Sequence, residues 1–168
     1  MEPIVNKVSQ SGLMEINLGD LYQKGDRVVF DIKEHLFQGL ILREKEFREF
    51  VKNENWEQYK NKFVAIICSS DAIVPTWAYM LLTVVLEPFA KKIFFGTMEN
   101  LEINLFQESL SKLDVQSFAD QRVVIKGCSK ISVPVSAYVE LTRLLRPLAK
   151  SIMYGEPCST VPLYKKKS

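Results

Sequence analysis

The strongest constraint on the fold is a unit that occurs twice. A short apolar run leads to a Cys-Ser loop, then a proline, a stretch of helical period, a second proline, and another apolar run closed by glycine. In the first copy Pro75, Ala78, Tyr79, Leu82, Thr83 and Leu86 mark the helix. They recur at one constant offset as Pro134, Ala137, Tyr138, Leu141, Thr142 and Leu145. The flanks keep the offset: Phe47 and Glu49 recur as Phe106 and Glu108, and Pro88, Lys91, Ile93 and Gly96 as Pro147, Lys150, Ile152 and Gly155. It slips by one only where Gly127 is extra before Cys128. Internal repeats of this length imply repeated supersecondary units. We therefore expect an internal duplication, 47–96 and 106–155.

The unit is read in physical terms. Residues 63–67 and 122–126 are near-continuous apolar runs, as in strands buried on both faces. Pro75 suits the first turn of a helix, where its missing N–H costs nothing. Tyr79, Leu82, Thr83 and Leu86 fall at i, i+3, i+4 and i+7, one helical face, and Pro88 stops or kinks the helix. Residues 93–95 form the next strand. Residues 98–113 read as helix with Thr97 as N-cap, followed by strand 122–126, helix 135–145 and strand 151–154. Upstream, 4–18 reads as a hairpin about a Ser9-Gln10-Ser11-Gly12 turn, 27–32 as a strand and 43–53 as a helix. After Gly155-Glu156-Pro157 the chain is expected to leave the fold as a tail rich in Pro and Lys.

Strands alternating with helices predict an α/β fold with a mainly parallel sheet flanked by helices, an internal duplication and an N-terminal β-hairpin. At 168 residues the whole chain, 1–168, reads as a single α/β domain. The hydrophobic content of 47% and charged content of 25% are ordinary for a globular domain. A net charge of +2 does not point to nucleic acid. The most apolar stretch, 72–86, contains Pro75 and is shorter than the roughly 20 residues a membrane span needs, so no membrane is expected. No apolar leader follows Met1-Glu2-Pro3. The expectation is a cytoplasmic protein whose odd number of cysteines, three, stays reduced.

All three cysteines occupy one phrase: Cys68-Ser69 before Val74-Pro75, Cys128-Ser129 before Val133-Pro134, and Cys158-Ser159 before Val161-Pro162. Each falls just past the carboxyl end of an expected strand. In a single parallel sheet the three thiols would share the edge where open α/β sheets bind ligands. Soft thiolates suit zinc or an iron–sulfur cluster. Structural zinc takes four ligands, so the candidate metal set is Cys68, Cys128, Cys158 and His35, the only histidine. Cys128 and Cys158 are the expected closest pair.

Two further readings compete. Each cysteine could simply be a small residue filling a strand-to-helix turn, in a protein that serves as an interaction or dimerisation module. Alternatively Cys128 or Cys68, ahead of a helix, is a nucleophile in a small-molecule enzyme. Ser69, Asp71, Ser129 and Ser159 are the candidate ligand-binding residues of the same loops. Their bland role is capping their own turns.

The segments Arg27–Ile32, 36–45, the two cysteine units, and 155–165 (GEPCSTVPLYK) together resemble the bacterial family known as domain of unknown function 2480. The likeness spans nearly the whole chain. The family has no established activity. Its association with iron–sulfur assembly genes implies iron–sulfur assembly proteins as partners, beside a homodimer. The leading expectation is a non-enzymatic cytoplasmic accessory protein whose thiol-bearing site handles a metal or iron–sulfur species.

Overall fold

The structure, a computed structural model, describes residues 6–8, 12–156 and 158–167. Its strands and α-helices are, in chain order, β1 (Asn6–Val8), β2 (Leu13–Asn17), β3 (Arg27–Asp31), α1 (Glu44–Asn53), β4 (Phe63–Ile67), α2 (Thr76–Leu86), β5 (Lys92–Phe95), α3 (Met98–Ser111), β6 (Arg122–Lys126), α4 (Val135–Leu145), β7 (Ser151–Glu156) and β8 (Ser159–Lys165). The mixed α/β class and the mostly parallel pairing are as expected. Of the expected hairpin, β1 pairs antiparallel with β2, while residues 4, 5 and 9–11 lie outside the described residues.

The strands form two sheets rather than one. Residues 24–101 make one compact unit, and residues 1–23 with 102–168 make another. The first holds a three-stranded parallel sheet, β3-β4-β5. Its central strand β4 is apolar throughout, with Phe63, Val64, Ala65 and Ile66 buried. Ala78, Leu82 and Leu86 of α2 pack on that sheet with Phe47 and Val51 of α1. An aromatic group closes this core: Phe30, Phe50 and Trp56 lie with ring centroids 5.9–6.3 Å apart.

The second unit holds the order β1-β2-β6-β7-β8. β2, β6 and β7 run parallel, and β1 and β8 flank them antiparallel. Val123 and Ile125 of β6, Ala137, Leu141 and Leu145 of α4, and Phe106 and Leu110 of α3 form its core. Among the described residues no polar or charged residue is buried in either unit.

Local chemistry explains most boundaries. The hydroxyl of Thr97 accepts from Asn100 N–H at 3.2 Å, so Thr97 caps α3 as its position suggested. Pro75 sits at the N-cap, just ahead of the expected first-turn position, and Pro134 is the N-cap of α4, immediately before the expected helix 135–145. Both are extended (ψ 137° and 143°), and their carbonyls accept from Ala78 and Ala137 N–H. Leu82 and Leu86 of the expected stripe are buried and Tyr79 packs partly buried on the core, with Ala78 joining them; only Thr83 falls outside. Thr83 is exposed and its hydroxyl donates back to Tyr79 carbonyl at 2.8 Å, as Thr142 does to Tyr138 at 2.7 Å.

The expected Pro- and Lys-rich tail is instead strand β8. Thr160, Val161, Pro162 and Tyr164 pair with β7, and Tyr164 packs on the core. Pro162 is tolerated because β8 is an edge strand with a register shift opposite Ile152 and Met153.

Candidate functional site in the Cys128 cleft

The carboxyl ends of β6 and β7 and the start of α4 enclose an open cleft of about 350 Å3. Lys126, Gly127, Cys128, Tyr138, Tyr154, Gly155 and Glu156 line it. Backbone direction produces this cluster: β6 and β7 are parallel, with Ile125 opposite Tyr154, so residues 126–128 and 154–156 emerge at the same edge.

Two close approaches shape the cleft. A Cβ on residue 127 would collide with the Tyr138 hydroxyl, so a side chain there would displace the phenol. A Cβ at Gly19, in the 3-10 turn Leu18–Leu21 that follows β2, would collide with Cys128 and stand 3.1 Å from its sulfur. The insertion of Gly127, invisible as chemistry in the sequence, thus makes room for a phenol beside the thiol. The rings of Tyr138 and Tyr154 meet edge-to-face, 5.8 Å apart at 84°. Burial, then the proximity of Tyr154 and of Cys128, raises the Tyr138 pKa, so the phenol stays protonated and able to donate.

Lys126 supplies the charge. Its ammonium lies 2.7 Å from Glu156 Oε2 and 3.5 Å from Glu15 Oε2 of β2. The hydrogen bond to Glu156 leads the effects that raise the Lys126 pKa, with Glu15 adding to it against desolvation. The group is an ammonium throughout the neutral range.

The corresponding corner of residues 24–101 is different. Cys68 follows β4 as Cys128 follows β6, but it packs against the core of its unit. Its sulfur is 3.5 Å from both the carbonyl and the hydroxyl of Ser70. Asp31, at the end of β3, accepts from Ser69 N–H at 3.0 Å and Lys33 N–H at 3.1 Å. Burial pushes the Asp31 carboxyl up, but the bonds from Ser69 and Lys33 outweigh it and hold the carboxyl below its usual range. Where the sequence repeat puts Lys126, Tyr154 and Glu156, this corner has Ile67, Phe95 and Thr97. Counterparts of Lys126, Tyr154 and Glu156 are thus missing, and the carboxylate of this corner is Asp31, from the neighbouring strand.

The thiols are therefore distributed differently from the expected single edge. Cys128 and Cys158 follow neighbouring parallel strands of one sheet, while Cys68 follows a strand of the other. The reason is long-range pairing: β2 joins β6 instead of β3, which no local pattern announces. Cys158 is exposed in the turn between β7 and β8. His35 stacks on Phe50 at 3.7 Å and on Phe30 at 5.3 Å, and burial lowers its pKa despite Glu54, Glu34 and Asp31. Among the described residues no three His, Cys, Asp or Glu side chains are grouped to hold a metal ion. Ser69, Asp71, Ser129 and Ser159 are all exposed, and none lines the cleft. Lys126, Tyr138, Tyr154 and Glu156 went unselected. The repeat could have flagged three of them, since Lys126, Tyr154 and Glu156 replace non-ionising residues of the first copy.

Fold and cleft together define an α/β protein with a thiol-bearing cleft at the carboxyl edge of parallel strands. The chain belongs to the family described as protein of unknown function, DUF2480, whose model matches residues 2–166. No curated protein and no solved structure matches the chain. No helix among the described residues is long and apolar enough to cross a membrane.

Proposed function

We propose that this protein binds a small molecule in the Cys128 cleft and that the Cys128 thiolate acts on it as a nucleophile. The observation that carries the reading is the contrast between two cysteines of similar local sequence. Cys128 lines an open cleft with two phenols and an ammonium, whereas Cys68 packs against a core. A cleft at the carboxyl edge of parallel strands is also where α/β sheets place ligands. Tyr138 stands as the protonated donor beside the sulfur. A reducing cytoplasm would keep the thiol available.

Screening thiol-reactive fragments against the intact protein by mass spectrometry tests this. Adducts should concentrate on Cys128, saturate with fragment concentration, and weaken in Tyr138→Phe. Labelling that merely follows exposure, with Cys158 taking nearly all of it, would remove the reading.

A second reading rests on Cys128 and Cys158 following adjacent parallel strands. The exposed Cys158 and the cleft-lining Cys128, as thiolates, would receive a soft metal ion or an iron–sulfur species as cargo, with remaining ligands supplied by a partner. Anaerobic titration with cobalt(II) should then give a thiolate charge-transfer band that is lost in Cys128→Ser and in Cys158→Ser. Absence of the band in the native protein would set this reading aside.

We also propose that the two cysteine units descend from one duplicated unit. The support is that β4, α2 and β5 are followed, in the same order, by β6, α4 and β7. An experimental structure in which 47–96 and 106–155 do not superpose would argue for independent origins.

A further inference from the structure

We propose that the ligand of the Cys128 cleft is a small carboxylate-bearing electrophile, whose carboxylate takes the place of Glu156 on Lys126. This rests on the reading of the cleft as the working site and names the class of molecule it takes.

The ion pairs of Lys126 are unequal in a way that favours exchange. Its nearer partner, Glu156, has a side chain 62% exposed, while its farther partner, Glu15, is only 16% exposed. The short contact is thus made by a surface side chain that water competes for. Releasing Glu156 into water costs little. Glu15, held on β2, keeps the lysine aimed along the sheet edge after Glu156 has left. An ammonium has three donors and these two carboxylates engage two of them. A carboxylate from solution can therefore approach Lys126 before Glu156 has fully withdrawn.

The rest of the cleft fits a short carbon skeleton. Its volume, about 350 Å3, is at the small end for ligand pockets. The edge-to-face pair Tyr138 and Tyr154 forms an aromatic wall, with Cys128 and Lys126 on the same lining. A molecule held at one end by Lys126 would present its electrophilic carbon to the sulfur. The corner containing Cys68 provides an internal comparison, because Ile67 stands where the repeat puts Lys126.

Paired alkylating probes test the inference: iodoacetate, an anion, and iodoacetamide, its neutral counterpart. In both reactions the Cys128 thiolate attacks the methylene carbon, an S–C bond forms, the C–I bond breaks, and iodide leaves with the electron pair. The thiol proton goes to solvent. Rates at Cys128 are read by peptide mass spectrometry, and the iodoacetate-to-iodoacetamide ratio is compared with that of 2-mercaptoethanol. The native ratio should exceed the mercaptoethanol ratio by about fivefold, the scale of one exposed ion pair. It should rise further in Glu156→Gln, fall to the mercaptoethanol value in Lys126→Met, and shrink with added salt. Propionate should slow iodoacetamide labelling saturably in the native protein and in Glu156→Gln, but not in Lys126→Met. If Cys128 reacts with both probes at the mercaptoethanol ratio in the native protein and in Glu156→Gln, the carboxylate inference fails while the cleft reading survives. If neither probe reaches Cys128 while both label Cys158, the cleft reading itself fails.

Discussion

Cys128 packs its Cβ and sulfur against the bare Cα of Gly19, so the end of β6 and the turn after β2 meet with no space for another carbon. An added Cβ would also stand 3.0 Å from Asn17 Oδ1, the oxygen that accepts from Gly19 N–H at 2.8 Å. Gly19→Ala should therefore destabilise the protein by about 1–3 kcal/mol through overpacking. It should also change Cys128 labelling. Urea denaturation and thiol labelling measured together check both, and a neutral result in each would show that the contact is loose.

Leu82 and Leu141 occupy matching places, fully buried on α2 and α4. Truncation of either to Ala should cost about 2–5 kcal/mol from lost transfer energy and the remaining cavity. Val84, two residues beyond Leu82, is 68% exposed, and Val84→Ala should stay within about 0.5 kcal/mol. Chemical denaturation shifts below about 1 kcal/mol at both leucines would mean the helices bury a different stripe.

His35 should give a pH dependence of stability with a defined sign. Its folded pKa is lowered from 6.5, chiefly by burial against Phe30 and Phe50. Between the lowered value and 6.5 the unfolded chain binds more protons, so stability rises with pH. The contribution is complete above the unfolded value and is lost as pH falls toward the folded one. Urea midpoints measured from about pH 5 to 8 should fall on acidification in the native protein and fall less in His35→Phe. A native protein that gains stability on acidification, relative to the variant, would contradict the buried neutral ring.

Cys68 should label more slowly than the other two thiols. Cys158 is exposed in a hairpin turn, Cys128 lines an open cleft, and Cys68 is packed against a core with Ser70 about its sulfur. Reaction with a neutral maleimide, followed residue by residue, should reach Cys68 last, after both Cys128 and Cys158. Cys68 reacting before Cys128 would reverse the functional contrast drawn between them.

Much of the fold was legible because it is written in local chemistry. The apolar runs at 63–67 and 122–126, the prolines that begin α2 and α4, and the Thr97 cap each act over a few residues, and each lies within one position of where its pattern indicated. Of the stripe Tyr79, Leu82, Thr83 and Leu86 only Thr83 misses the core, because helical spacing counts residues, while burial depends on which face meets the sheet. β8 failed because Pro162 and the lysines describe an edge strand as well as they describe a tail.

The candidate site was legible only in part. The sequence by itself determined that a cysteine follows each central strand and that a glycine is inserted before Cys128. It could not say that Tyr138 fills the space left by Gly127, that Gly19 backs Cys128, or that Glu15 and Glu156 converge on Lys126 from β2 and β7. Those relations join residues up to 111 positions apart. They exist only once β2 has paired with β6, and β6 with β7. Local propensity sets each strand and helix, but strand order is decided by the summed burial of whole faces. For that reason the tertiary structure alone separated Cys68, held against a core, from Cys128, which lines a cleft.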